Sequence, residues 1–205
     1  TMLPTLPTDG DLYIFAVKDS ALLDLVSRMP SNRGLWVHTA GSMDMEVFAP
    51  YTARYGVFYP MQTFSKERET DFDDIPIFVE ANHTDDTERL QELAGRLSTK
   101  VYEATSEQRK YLHLAAVFAC NFTNHLYALC DRILSEHGLP FETMLPLIRE
   151  TAAKVADMPP AQAQTGPAIR YDKNVIDKQM ALLSDPTMRQ IYDLMSRSIH
   201  ETNKH

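Results

Sequence analysis

Residues 12–43 read LYIFAVKDSALLDLVSRMPSNRGLWVHTAGSM, and this stretch decides the fold class of the chain. It predicts a buried strand over 12–17, a helix over 20–28 that Asp19 can cap and that stops before Pro30, and a second strand over 34–38. A strand, a crossover helix and another strand form the repeating unit of a parallel sheet. Ligands of such sheets bind at the carboxyl ends of the strands, so the loops after these two strands are the first candidates for a site.

The same alternation continues through the first half of the chain. Further strands are predicted over 55–60, 75–81 and 100–104, with a helix over 85–97 between the last two. We therefore expect residues 1–105 to form an α/β domain with a parallel sheet.

The second half of the chain is predicted to be helical throughout. Thr105 and Gln108 form a T-x-x-Q capping box, and no Gly or Pro follows until Gly138, so one long helix is expected. Its surface is apolar on almost every side, which predicts a central, buried position. We expect residues 106–205 to form a helical bundle that also makes a homodimer, because a small bundle cannot cover so much apolar surface. The remaining helices are predicted over 141–157, 173–184 and 187–202, and Asp185 is predicted to cap the last of them.

Charge and composition argue against several classes of partner. The 205 residues carry a formal net charge of −8 at pH 7 without a cluster of Lys or Arg, so neither nucleic acid nor a membrane is an expected partner. No apolar run approaches the ~20 residues of a membrane span. Cys120 and Cys130 lie too far apart on one predicted helix for a disulfide. We expect reduced, buried thiols and a cytoplasmic protein.

The loop after the second strand, HTAGSM over residues 38–43, is the first candidate site. In the functional interpretation, its backbone and the side chain of His38 or Ser42 face a cofactor ring or a substrate. The alternative is a plain strand-to-helix turn, in which Gly41 supplies backbone freedom and Ser42 caps the next helix.

The loop after the third strand is a second candidate. It reads YPMQTF over residues 59–64 and places Gln62 and Thr63 directly after a strand end. A polar turn that follows Pro60 explains the same residues, so both interpretations stay open.

Polar residues form a stripe on the otherwise apolar long helix. At 3.6 residues per turn, four of them fall within about a quarter turn of one another: His113, Asn121, Asn124 and Asp131. Buried polar groups need partners, so the stripe either lines a pocket or bonds to the interior. It has no pair of His and Glu at helical spacing, so we do not expect a metal.

A fourth segment, TGPAIRYD over residues 165–172, presents Arg170 shortly before Asp172, which is predicted to cap the next helix. A guanidinium in this position is suited to clamp a carboxylate or a phosphate. The alternative is a connecting loop with an Arg–Asp pair on the surface.

Together these segments resemble a family of bacterial Rossmann-like proteins with a helical C-terminal domain of unknown function. That family is distantly related to pyrroline-5-carboxylate reductase and to the deazaflavin-dependent NADP reductases. Tyr59 stands where the family commonly has His, and Tyr171 where it commonly has Gly. The similarity covers nearly the whole chain and rests on LYIFAVKD (12–19), VHTAGS (37–42), YPMQTF (59–64), CNF (120–122) and TGPAIRYD (165–172).

The resemblance implies an oxidoreductase that uses NADP or NAD and acts on a small polar substrate in a cleft between a Rossmann-like domain and a helical dimerisation domain. On this interpretation, the cofactor contacts Val17, Asp19, His38, Thr39 and Ser42. The catalytic residues are expected to be His38, His113 and Asn121. The substrate is expected to contact Gln62, Thr63, Asn124, Thr165 and Arg170.

The opening strand of that family, its Gly-rich turn and the next βα unit have no counterpart here, and no G-x-G-x-x-G motif occurs among the 205 residues. We therefore expect the chain to continue a longer protein with roughly 50–60 upstream residues. We also expect weak cofactor binding by the present residues alone.

Two other functions remain open. The first alternative is a non-catalytic, dimeric ligand-binding or regulatory protein that retains the fold. A hydrolase based on Ser42 and His38 is less favoured, because neither a partner acid nor an oxyanion turn is evident.

Overall fold

A computed structural model describes residues 6–203, which divide into two compact units. The first unit extends to Thr123 and the second begins at Asn124. This division lies within the long helix, whereas the sequence predicts domains at 1–105 and 106–205. The assignment of separate functions to those two parts stays a prediction.

The first unit is built on a five-stranded sheet in the order β1-β2-β3-β4-β5. The first three strands are parallel to one another, and β4 and β5 run in the opposite direction. The α/β fold class is confirmed, with a mostly parallel sheet. The strands are β1 (Leu12–Phe15), β2 (Leu35–His38), β3 (Tyr55–Pro60), β4 (Ile77–Ala81) and β5 (Val101–Glu103).

The reversal at β4 follows from the way in which the chain returns to the sheet after β3. Residues 61–76 connect β3 to β4 without any helix. A parallel return needs a crossover, which is usually helical, whereas a plain loop is enough for an antiparallel neighbour. β4 therefore pairs with β3 as an antiparallel strand, with Gly56 opposite Ala81.

Strand β2 lies at the centre of the apolar core. All four of its residues are buried, because helices cover the sheet on both sides. One face packs Leu35 and Val37 against α2 (Thr84–Gly95), through residues such as Leu90. On the other face Trp36 packs against side chains from β1, α1 (Asp19–Ser27) and the 3₁₀ helix Met45–Phe48, namely Phe15, Leu22, Val26 and Phe48.

The long helix begins at the predicted capping box, in which Thr105 and Gln108 satisfy each other's backbone N–H groups. It consists of three segments. The prediction that it is buried is wrong for a single chain, because none of the side chains from 117 to 136 is buried and Phe118 is 63% exposed. The segments are α3 (Ser106–Ala116), a π-helical turn (Val117–Phe122) and α4 (Thr123–Glu136).

The second unit is helical, as predicted, and has little core of its own. Within its described residues only Ile176, Met188 and Ser196 are buried. The predicted caps at Asp172 and Asp185 are present, and each carboxylate accepts backbone N–H groups of the following helix. After α4 come a 3₁₀ helix (Phe141–Met144), α5 (Leu145–Asp157), α6 (Pro160–Ala163), α7 (Lys173–Leu182) and α8 (Pro186–Thr202).

Two further predictions from the sequence concern membrane spans and the state of the two cysteines. In the part of the chain that the structure describes, no helix combines the length and the apolar character needed to cross a bilayer. Both cysteines are free thiols, but Cys120 is exposed. Cys130 is only half-buried, so the prediction of buried thiols is wrong for both, because the helix that carries them is uncovered in a single chain.

Candidate functional site

The loops that follow β1 and β2 meet at the carboxyl edge of the parallel strands. The hydroxyl of Ser42 donates to the carboxylate of Asp19 at 2.6 Å, and the N–H of Thr39 donates to the carbonyl of Phe15 at 3.4 Å. Val17, which is 40% exposed, lies in the first of these loops. The structure therefore brings together four of the five residues predicted to contact a cofactor.

Asp19 does not cap α1, although the sequence predicts that it does. The N-cap position is Lys18, and no side chain caps the helix there. Asp19 is instead the first helical residue, where a carboxylate still interacts favourably with the helix dipole. From this position its carboxylate is directed to Ser42 of the neighbouring loop.

His38, the fifth predicted cofactor residue, ends β2 and is completely buried. Its Nδ1 accepts the N–H of Ala40 at 3.2 Å, and its Nε2 lies 3.4 Å from the carbonyl of Asp44. Burial, assisted by the positive charge of Arg109, lowers the pKa of His38 from 6.5 to about 4. The ring is therefore neutral at pH 7, and because Nδ1 is an acceptor the proton is on Nε2. A ligand would reach this ring only after movement of the loop.

The lowered pKa of His38 predicts a loss of stability in mild acid. The unfolded chain binds a proton near pH 6.5, whereas the folded chain resists protonation down to about pH 4. The contribution of His38 to the free energy of unfolding is therefore fully present well above pH 6.5. It falls as the pH falls, by about 2 kcal/mol between pH 7 and 5. Urea unfolding at these two pH values measures the loss. A His38→Asn variant should show a flatter pH dependence, and an equal slope in both proteins would contradict the assignment.

Gly41 lies against two side chains from other elements, Tyr59 at the end of β3 and His113 on α3. A Cβ atom at residue 41 would be 2.6 Å from Nδ1 of His113 and 2.9 Å from Cζ of Tyr59, so any larger residue there would displace these side chains. The hydroxyl of Tyr59 is 3.4 Å from Nδ1 of His113. The predicted catalytic residue His113 therefore lies beside the loop after β2. Its side chain is exposed, whereas the neighbouring Tyr59 is buried.

A buried ion pair between Arg109 and Glu80 packs against the loop that follows β2. Arg109 of α3 is completely buried, and its Nη1 donates to a carboxylate oxygen of Glu80 on β4 at 2.8 Å. Ser106 donates to the same carboxylate through both its N–H and its hydroxyl, at 2.8 and 2.7 Å. None of these three residues was predicted from the sequence as part of the site. The available signal was a single acid in the apolar strand IPIFVEA together with an arginine in the first turns of a capped helix.

The remaining predicted residues of the first unit lie elsewhere on its surface. Gln62 and Thr63 are exposed, and the side-chain oxygen of Gln62 accepts the N–H of Thr63 at 2.8 Å. They line a polar cavity of about 350 Å³ with Arg68 and Asp71. Asn121 is exposed in the π-helical turn. Among residues 6–203, no group of three or more His, Cys, Asp or Glu side chains is arranged to hold a metal ion.

The second unit carries the other predicted substrate residues, and Asn124, Thr165 and Arg170 are all exposed there. Thr165 lies at an apolar cavity of about 440 Å³. Tyr171 has a φ of 49°, a left-handed conformation that glycine adopts without strain. This backbone conformation explains why glycine is common at this position in the family that the sequence resembles.

A family model and several solved structures match this chain. A family model described as a domain of unknown function, DUF2520, matches residues 75–199. Among solved structures, a candidate NADP oxidoreductase from Bacteroides fragilis is 53% identical; the match covers 96% of this chain and 78% of that one, with a TM-score of 0.89. No curated protein matches the chain.

Two more distant structures share the fold. A protein from Thermotoga maritima is 22% identical, with 98% of this chain and 82% of that one covered at a TM-score of 0.82. The 1-pyrroline-5-carboxylate reductase of Streptococcus pyogenes is 10% identical, with coverages of 93% and 76% and a TM-score of 0.52.

Proposed function

The chain belongs to the DUF2520 family, and from this premise we propose that it is an oxidoreductase that uses a nicotinamide cofactor, NADP or NAD. The family resemblance predicted from five sequence blocks is thereby confirmed. The observation that carries the proposal is the contact between Asp19 and Ser42, which joins the first two strand-end loops. In parallel α/β sheets, ligands bind at this edge. The similarity to a candidate NADP oxidoreductase supports the choice of cofactor.

The residues present fit one end of such a cofactor. Val17 offers an apolar surface, and Asp19, Thr39 and Ser42 offer polar groups beside it, which suits a nicotinamide ring with its carboxamide and ribose. The Gly-rich turn that binds a pyrophosphate does not occur in this sequence, so we propose no pyrophosphate contact by these residues.

The cofactor, when bound, supplies hydride transfer, and the protein supplies orientation and proton handling. Burial raises the pKa of Tyr59, so its phenol stays protonated at pH 7 and can donate to a substrate atom. Nδ1 of the adjacent His113 is placed to exchange a proton with that hydroxyl. We propose that the hydroxyl of Tyr59 donates a proton to the substrate and that His113 exchanges a proton with this hydroxyl. His38 acts indirectly, through its hydrogen bonds to the loop after β2.

The finer assignments from the sequence are part of the same proposal. Asn121 is a proposed catalytic residue because its exposed amide lies in the π-helical turn, a feature frequent at functional sites. The proposed contacts to a small polar substrate are those of Gln62, Thr63, Asn124, Thr165 and Arg170.

Titration of the natural full-length protein with NADPH and with NADH, followed by nucleotide fluorescence, tests the cofactor. We expect saturable binding of at least one nucleotide. Ser42→Ala should weaken it about tenfold, because one hydrogen bond that fixes the two loops is lost. Ser27→Ala, at the end of α1 opposite Asp19, is the matched control and should bind normally. A wild-type protein that binds neither nucleotide would contradict the proposal.

We also propose that a second copy of the chain covers the helical unit. Leu182, Leu147 and Leu194 are 81%, 63% and 62% exposed, and apolar surface of this extent usually marks an interface. Light scattering should show a dimer at micromolar concentration. Leu194→Glu should produce monomers, because it places a charge in the proposed interface, whereas Leu23→Glu in the first unit should not. A wild-type monomer at that concentration would refute the dimer.

A further inference from the structure

Arg109 has an environment that stability alone does not require. Its guanidinium is completely buried and bonds to four groups: the carboxylate of Glu80, the hydroxyl of Ser106, and the carbonyls of Ala40 and Met43. A buried ion pair is often replaceable by apolar residues without loss of stability, because removing both charges from water is costly. The presence of arginine here therefore points to a geometric task.

The two carbonyls define that task. Ala40 and Met43 flank the residues Gly41 and Ser42, and Arg109 binds both of them, through Nε at 3.3 Å and through Nη2. A third anchor follows, since the N–H of Met45 donates to the hydroxyl of Ser106 at 3.2 Å. The loop after β2 is thus held at three backbone points by side chains of one helical turn of α3.

Only arginine can make this set of contacts. Its planar guanidinium carries five N–H donors in fixed directions, so it binds a carboxylate and two carbonyls at once, whereas the ammonium group of lysine is compact. Glu80 in turn fixes the guanidinium, because one carboxylate oxygen accepts from both Arg109 and the hydroxyl of Ser106. The orientation of the arginine is therefore determined from two sides.

The held loop carries the contacts on which the candidate site depends. Ser42 reaches Asp19 and Gly41 lies against His113 only while the backbone between Ala40 and Met43 keeps this shape. We propose that Arg109 is a positioning residue that presets this loop for the nicotinamide cofactor. This inference rests on the proposed function.

A second ion pair provides an internal control. Arg54 binds Asp86 through two donors, and Asp86 is buried, but this pair connects the start of β3 to α2. It makes none of the described contacts to residues 40–45. Lysine in place of either arginine keeps the charge and removes the planar donor set. Each substitution therefore disturbs one arginine–carboxylate pair of the first unit, but only Arg109→Lys affects the loop after β2.

The experiment compares Arg109→Lys with Arg54→Lys in the natural full-length protein. NADPH titration gives the dissociation constant, and hydrogen exchange of the amides of residues 41–45 reports on the loop without ligand. For Arg109→Lys we expect binding weakened about tenfold or more, together with faster exchange in the loop. For Arg54→Lys we expect affinity within about twofold of wild type, because the site loop is untouched.

Each outcome is decisive. Equal affinity in wild type and Arg109→Lys, or an equal loss of affinity in both arginine variants, overturns the positioning role while cofactor binding stands. No binding by the wild-type protein overturns the proposed function and this inference with it. If Arg109→Lys does not fold, Ser106→Ala removes the third loop anchor and should still accelerate exchange and weaken binding; unchanged values in that variant overturn the inference.

Discussion

Glu80→Leu is expected to lower the free energy of unfolding by about 3–5 kcal/mol, because it leaves the completely buried charge of Arg109 without a partner. The hydrogen bonds from Ser106 to the same carboxylate are lost as well. Equilibrium unfolding in urea measures the change, and the midpoint should move while the slope stays the same.

The surface ion pair between Asp24 and Arg28, at 2.6 Å, is the control for this substitution. Both of its side chains are exposed, so Asp24→Leu should cost less than about 1 kcal/mol. If Glu80→Leu cost no more than Asp24→Leu, the buried pair would not be the structural anchor of the loop.

Gly56→Ala is expected to destabilise the protein by about 3 kcal/mol or more, since overpacking against a backbone atom cannot be relieved by a side-chain rotation. A Cβ atom at this position in β3 would lie 2.1 Å from the carbonyl oxygen of Glu80 and 3.0 Å from Cα of Ala81. The two strands would have to separate where they pair. Thermal and urea unfolding measure the loss.

Gly95→Ala is the matched substitution without a clash, because nothing lies within 4 Å of the added atom. This glycine ends α2, where alanine is the better helix former, so stability should be unchanged or raised by up to about 1 kcal/mol. Equal stability of the two alanine variants would refute the close approach of β3 and β4 at residue 56.

Local signals in the sequence were sufficient for most of the secondary structure. Strand β3 begins and ends at its predicted residues, 55 and 60, because turn residues precede it and Pro60 closes it. The capping box at Thr105 and the cap at Asp185 were predictable, since each depends on residues close in sequence. These features needed no knowledge of distant contacts.

Features that depend on distant residues were not predictable in the same way. The antiparallel direction of β4 follows from how the loop 61–76 returns to the sheet. The pair formed by Glu80 and Arg109 joins residues far apart in sequence, and neither residue carries a motif. The prediction for Asp19 failed for a related reason, because its carboxylate bonds to Ser42 and not to its own helix.

The sequence predicted which loops form the candidate site, but not the burial or the contacts of their side chains. The strand-end rule located the loops after β1 and β2, and the structure brings those loops into contact. The rule gives no information on burial, so it did not reveal that His38 is enclosed. The proposed role of Tyr59 depends on a contact with His113 on another element, which a single sequence does not show.

The π-helical turn at Val117–Phe122 changes the rotational phase of the long helix. Each backbone bond there spans one residue more than in an α-helix, and one residue corresponds to a rotation of about 100°. The predicted polar stripe assumed a constant 3.6 residues per turn, so it placed His113 in line with Asn124 and Asp131. The stripe therefore loses its constant period at the turn, and Asn121 lies within that turn. Deleting a single residue within the turn would give a regular α-helix without recovering the predicted alignment, because every residue after the deletion would be one position closer to His113 along the chain.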